Sequence, residues 1–122
     1  MDITLIPTLA VRDAAAAIDF YVRALGATEI SRYEYDGRIA HAELSAGGAR
    51  FAVKEADEHD PAPGDAASVL FALEVADADA LWSRLREAGA TVVFPLADHD
   101  YGYRQGRVAD PYGHRWIVSQ QL

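Results

Sequence analysis

Three groups of side chains in this sequence could do chemistry. His41 and Glu43 lie two residues apart in Arg38-Ile-Ala-His-Ala-Glu-Leu-Ser45, a segment with the composition of a β-strand. Side chains at that spacing share one face of a strand, which leaves Ala40, Ala42 and Leu44 on the other, a small apolar set suited to packing beneath a helix. An imidazole that titrates near neutrality beside a carboxylate is the material of acid/base catalysis. The same pair also serves as a cross-strand polar contact at a cavity rim or subunit seam, or as two donors of a non-standard metal site. Tyr101, Tyr103 and Arg104 form the second group. Aromatic rings beside a guanidinium can stack on and pair with a planar anionic ligand, or the segment can close over a cavity mouth or a partner chain. In the third group, alternation puts Arg115 and Ile117 on one face and Trp116 in the core. Arg115 is then a candidate counter-ion for an acidic ligand, and His114 reads as a hairpin-stabilising residue. His59 and His99 fall in acidic loops and read as solvated.

The elements that must position these groups are written twice. Leu9-Ala-Val-Arg-Asp-Ala14 is followed by a helical pattern and then Leu25-Gly-Ala-Thr28. Leu73-Glu-Val-Ala-Asp-Ala78 is followed by another and then Ala88-Gly-Ala-Thr91. Val11 and Asp13 match Val75 and Asp77 at an offset of 64, and Gly26 matches Gly89 at 63. A duplicated module follows rather than a solenoid, which needs about three repeats to close its core. In the first copy a strand is expected over 3–11. Asp13 caps a helix over 14–25 that Gly26 ends. Strands are expected at 28–35, 38–45 and 49–54, the first two joined by the Asp36-Gly37 hairpin turn. The acidic, proline-broken stretch 55–67 reads as a linker. The second copy repeats the plan: strand 68–75, Asp77 cap, helix 78–88 carrying Trp82 as a helix-to-sheet contact, strand 90–94, a polar aromatic loop at 95–102, and strands 103–109 and 114–120. Asp110-Pro-Tyr-Gly113 between the last two has the residues of a type I turn.

Composition narrows the rest. A chain of 122 residues, half of them apolar, can bury one domain core. A net charge of −8 repels phosphate backbones and argues against nucleic acid. There is no cysteine, so thiol catalysis, disulfides and thiolate–metal sites are excluded. No apolar run approaches the roughly 20 residues of a membrane span and no signal peptide is recognisable, so the expected location is the cytoplasm. No nucleophile triad, phosphate loop or dinucleotide fingerprint occurs.

Three stretches carry a family resemblance: Asp13-Ala-Ala-Ala-Ala-Ile-Asp-Phe-Tyr21 with Ala24-Leu-Gly-Ala27, Asp36-Gly-Arg-Ile-Ala-His-Ala-Glu-Leu44, and Gly106-Arg-Val-Ala-Asp-Pro-Tyr-Gly-His-Arg-Trp116. In that order, on a duplicated frame, the chain resembles the vicinal oxygen chelate superfamily (glyoxalase, bleomycin resistance protein and dioxygenase). The last two stretches look most like its small glyoxalase-like proteins associated with phosphonate operons. The resemblance implies an α+β domain over 1–122, with two β-α-β-β-β modules at about 1–54 and 68–122 curled into concave half-barrels. It also implies a homodimer and a ligand cavity lined by Ile6, Thr8, Leu70, Ala72 and Ile117. In metal-using members four inward side chains hold one divalent ion. Here those positions fall at Ile6, Ala52, Leu70 and Ile117, none of which offers nitrogen or oxygen, so no metal or other cofactor is expected. Binding or sequestering a small organic molecule is the function expected first. A glyoxalase-like lyase, isomerase or dioxygenase using His41 and Glu43, with or without a divalent metal, is the alternative, and a structural or regulatory dimer the third.

Overall fold

In the computed structural model of the chain, which describes residues 1–65 and 67–122, the two modules repeat one order of elements. The first comprises β1 (Thr8–Val11), α1 (Ala14–Leu25), β2 (Thr28–Tyr35), β3 (Arg38–Ala46) and β4 (Ala49–Glu55). The second comprises β5 (Leu70–Glu74), α2 (Ala78–Ala88), β6 (Thr91–His99), β7 (Tyr103–Ala109) and β8 (Arg115–Gln121). Each module is an open four-stranded sheet, ordered β1-β4-β3-β2 and β5-β8-β7-β6. The first pair of each order is parallel and the others antiparallel. The α+β class and the tandem β-α-β-β-β plan agree with the sequence.

The repeat extends to register. Glu43 pairs with Ala52, and Arg107 with Ile117. Residues of β3 therefore match β7 at an offset of 64, whereas those of β4 match β8 at 65. The added residue lies in the β7–β8 turn. Gly47-Gly48 closes the first module's hairpin, while the second uses Asp110–His114, with Gly113 at φ 95° and its N–H bonded to the Asp110 carbonyl.

Both helices start and stop alike. Asp13 and Asp77 each accept a hydrogen bond from the backbone N–H three residues on, and Gly26 and Gly89 end the helices in the left-handed conformation. A second cap comes from the last strand of each module. Glu55 Oε1 accepts from the Ala14 N–H at 2.7 Å, and Gln120 Oε1 accepts from the Ala78 N–H at 2.8 Å. Each carboxamide or carboxylate satisfies one of the orphan donors of a helix start while tying the helix to its own sheet.

Leu9, Val11, Ala42, Leu44 and Val53 form the helix-covered face of the first sheet, and Val108, Trp116 and Val118 that of the second; all are buried. Between the modules lies an aromatic seam. The Tyr21 ring is 5.4 Å from Phe51 and 5.6 Å from Trp116, and Trp116 is 5.0 Å from Phe71. Asp110, itself buried, anchors the seam. Its Oδ2 accepts from Tyr21 Oη at 2.5 Å and Trp116 Nε1 at 2.9 Å, and its Oδ1 accepts from the N–H groups of Tyr112 and His114. All four donors satisfy one buried carboxylate, which is what makes its burial tolerable.

Four details differ from the sequence reading. Strand β1 begins at Thr8 rather than at residue 3. The Pro7 carbonyl still accepts from Ala52 N–H, but proline has no N–H with which to continue the ladder. Strand β6 runs to His99, through the stretch expected as a loop. Pro95 is tolerated because β6 is an edge strand with register shifts between Val92 and Phe94 and between Phe94 and Ala97. Ala40 is exposed and Ile39 buried, because a bulge there leaves Ala40 without a partner opposite β2. Finally, Glu55 belongs to β4, so the linker is shorter than 55–67; Ala66, within it, lies outside the described residues.

Candidate functional site

Each sheet has one face under a helix and one face free. Strand alternation places Thr8, His41, Glu43, Arg50 and Ala52 on the free face of the first sheet. It places Leu70, Ala72, Gln105, Arg107, Arg115 and Ile117 on that of the second.

His41 and Glu43 share a face as the sequence predicts, but they are differently engaged. His41 is exposed opposite Tyr33. Glu43 is half-buried, and both of its oxygens accept from Arg50 Nη2, at 2.9 and 3.0 Å. The carboxylate thus has its counter-ion within the same module.

The Tyr101, Tyr103 and Arg104 group is not assembled as a unit. Tyr101 stacks on His99 with ring centroids 5.1 Å apart, and its hydroxyl donates to Gln105 Oε1 at 2.7 Å. Gln105 Nε2 in turn donates to Ser119 Oγ at 2.9 Å, so these polar groups are mutually satisfied at one end of the free face. Tyr103 lies beside them, 6.3 Å from Tyr101. Arg104 points to the opposite side. Its guanidinium reaches Asp79 at the start of α2 at 2.9 Å and Asp98 at 3.0 Å. The hydrogen bonds from Arg104 lower the Asp79 pKa, and those to Asp79 and Asp98 raise that of Arg104. Strand alternation explains the split: neighbours 103 and 104 cannot share a face.

Of the remaining expected residues, Arg115 does share a face with Ile117, and its Nη2 donates to the Asp65 carbonyl at 3.1 Å. Ile6 precedes β1 and is half-buried, Thr8 pairs with Ala52, and Leu70 is exposed opposite Arg115. His114 does more than brace its hairpin, because its Nε2 lies 3.0 Å from the Ala10 carbonyl of the first module. Trp82 packs on the second sheet over Gly106. His99 is strand rather than loop.

Ile6, Ala52, Leu70 and Ile117 present hydrocarbon only, which does not fit a divalent ion. Among the described residues no three His, Asp or Glu side chains gather as a metal-binding group. Two grooves run along the seam between modules. One of about 540 Å³ is lined by Thr8, Lys54, Phe71 and His114, and one of about 640 Å³ by Leu9, Phe51, Leu70, Leu81 and Trp116. His41, Glu43, Arg115 and Ile117 line neither; they stand on the open sheet faces.

The sequence reading missed Arg107 and Phe94. They pair across β6 and β7, and the Arg107 guanidinium carbon lies 5.3 Å from the Phe94 ring centroid. Arg107 Nε is buried and makes no hydrogen bond. Two signals could have found it: the Tyr103, Gln105, Arg107 alternation, and its offset of 64 from Glu43.

The pattern of the glyoxalase/bleomycin resistance protein/dioxygenase superfamily matches residues 4–118, and the chain belongs to that superfamily. An uncharacterized protein of Mycobacterium tuberculosis is 42% identical over 126 residues, covering 95% of this chain and 73% of that one. Among solved structures, TioX from a Micromonospora species superposes with a TM-score of 0.79 at 31% identity, over 99% of this chain and 100% of its own. TnmS3, an antibiotic binding protein from a Streptomyces species, superposes with a TM-score of 0.73 at 26% identity, over 100% of this chain and 99% of its own.

Proposed function

We propose that this member of the superfamily binds a small organic molecule between sheet faces, as a homodimer and without a resident metal. The free face of the second sheet carries the reading. Leu70, Ala72 and Ile117 make an apolar strip there, with polar groups confined to its margins. Such a wall suits an organic ligand oriented by a few polar contacts. Hydrocarbon occupies the positions at which metal-using relatives would hold an ion. The likeness to an antibiotic binding protein supports the same reading.

A second copy of the chain completes the site. The strips stand open, and Ile3, Leu5, Tyr33, Leu70 and Phe94 are exposed. Self-association about a two-fold axis covers such faces and their sheet edges. The cytoplasm is the proposed location, and the acidic charge disfavours nucleic acid as a partner. No helix among the described residues is long and apolar enough to cross a membrane. Placement among the phosphonate-operon proteins rests on the 36–44 and 106–116 stretches alone. An enzymatic role for His41 and Glu43 is the second reading, in which Glu43 acts with Arg50 as its counter-ion.

Metal analysis, calorimetry and sedimentation test this reading together. Purified without chelator, the protein is expected to carry far less than one Ni, Zn, Fe or Mn per chain. EDTA should then leave Tm unchanged, whereas a saturating specific ion would contribute roughly 3–4 kcal/mol. Sedimentation should give a dimer at micromolar concentration, and a panel of planar organic compounds should raise Tm. Stoichiometric metal lost with His41→Ala would overturn the binding reading in favour of an enzyme.

A further inference from the structure

The duplication supplies an internal control for every residue of the free faces. Glu43 and Arg50 in the first module correspond, strand for strand, to Arg107 and Arg115 in the second. The correspondence is fixed by pairing: Glu43 faces Ala52 as Arg107 faces Ile117, and Ser45 faces Arg50 as Ala109 faces Arg115. In the first module the two diagonal positions hold a closed ion pair, Arg50 Nη2 to both Glu43 oxygens. In the second, the carboxylate of that pair is replaced by a second guanidinium.

Among the described residues the replacement has no counterweight: no Asp or Glu lies within ion-pair distance of Arg107 or Arg115. Arg115 donates only to a backbone carbonyl, and Arg107 Nε is buried with no acceptor. This occurs in a chain with 19 acidic residues against 11 basic ones, where a carboxylate partner would be easy to supply. The Arg107 side chain is half-buried with its Nε unsatisfied, and Arg115 stands at the diagonal position on the same face. Two positive charges thus share this region without a carboxylate partner, an arrangement an incoming anion would relieve. Phe94 offers only its ring face, which steadies the cation without accepting a hydrogen bond. Beside the two arginines run Leu70, Ala72 and Ile117.

We propose that Arg107 and Arg115 form an acid-recognition subsite, and that the ligand is a planar apolar compound bearing a carboxylate or similar oxyanion. The acid occupies the place that Glu43 fills in the first module. The apolar body lies along Leu70, Ala72 and Ile117. The proposal rests on the small-molecule-binding reading above and adds the ligand's charge.

Three probes of one shape separate the two ideas: 2-naphthoate, 2-naphthamide and 2-naphthylmethylammonium, titrated into the purified protein by calorimetry at low salt. The acid is expected to bind about tenfold or more tightly than either other probe, the range of a charge-assisted hydrogen bond. Arg107→Gln should bring acid and amide to parity. Arg107→Glu, which rebuilds the first module's pair with Arg115, should abolish acid binding and raise Tm without ligand. Circular dichroism and sedimentation check that both variants keep the wild-type fold. Equal affinity for acid and amide, or an acid preference that survives Arg107→Gln, overturns the subsite while leaving the binding reading intact. Failure of all three probes to bind counts against both.

Discussion

In the first module α1 buries Ala14, Ala17, Ile18, Phe20, Tyr21 and Ala24; in the second, α2 buries only Ala78 and Leu85. The helices stand on the same frame with the same caps, yet one is a core helix and the other a surface helix. The difference arises at the seam, where α1 also packs against the Asp110–Trp116 segment of the second module. Contents have been exchanged in matched pairs elsewhere. Ile18 and Ala42 of the first module correspond to Trp82 and Gly106 of the second. A Cβ on Gly106 would lie 2.6 Å from the Trp82 ring and 2.8 Å from the Leu96 backbone, so the indole and that backbone both demand glycine there. That exchange is matched in shape, a bulkier side chain on the helix over a smaller residue on the strand. The exchange of Glu43 for Arg107 is not balanced in charge. Duplication thus separates what the frame needs from what one face has been given to do.

The largest test of this contrast is Asp110→Ala. Among the described residues only the second module has this buried carboxylate; the register puts Ala46 in its place in the first. Losing the carboxylate strands Tyr21 Oη, Trp116 Nε1 and two N–H groups, and should cost about 4 kcal/mol in urea denaturation. A loss below about 1 kcal/mol would mean that aromatic packing, not the carboxylate, holds the modules together.

Next comes Gly106→Ala, expected to cost about 2–3 kcal/mol by overpacking. Adding Trp82→Ile, which rebuilds the first module's pairing, should recover more than half of that loss. Failure to recover it would show that the Leu96 backbone, not the indole, sets the limit.

The smallest effect concerns pH. Tyr21 corresponds to Leu85 in the second module, a hydroxyl where its counterpart has hydrocarbon. Burial first, then the charge and hydrogen bond of Asp110, hold the Tyr21 pKa well above its ordinary value. In the unfolded chain Tyr21 ionises near pH 10, while the folded protein keeps the proton. The stabilisation is therefore complete below about pH 10 and declines as pH rises towards the folded pKa. Wild type should lose Tm more steeply than Tyr21→Phe between about pH 10 and 11, and parallel curves would show that the hydroxyl ionises freely in the fold.

The sequence showed both helices, their aspartate caps and their glycine stops, because each is set within a dozen residues. The α+β repeat was legible for the same reason. What it hid depends on pairing. Pro95 reads as a breaker until β6 is known to be an edge strand. Glu55 reads as linker until its carboxylate is seen capping α1 from 41 residues away. Tyr103 and Arg104, adjacent in sequence, were grouped although a strand sends them to opposite sides. Arg107 was overlooked inside a recognised motif, and only the sheet register aligned it with Glu43.

The bond between Tyr21 and Asp110 joins residues 89 positions apart, and His114 reaches Ala10 over 104. A chain emerging from the ribosome at roughly 5–20 residues per second therefore waits several seconds between making α1 and making the groups that seal it. Throughout that interval the Tyr21 ring has Phe51 beside it but lacks Trp116, and its hydroxyl lacks Asp110. Single-module folding is consequently a vulnerable passage in the life of each molecule. Truncations ending before Asp110 should be captured by chaperones or proteases, while a chain that includes Asp110 and β8, and so closes the seam, escapes both.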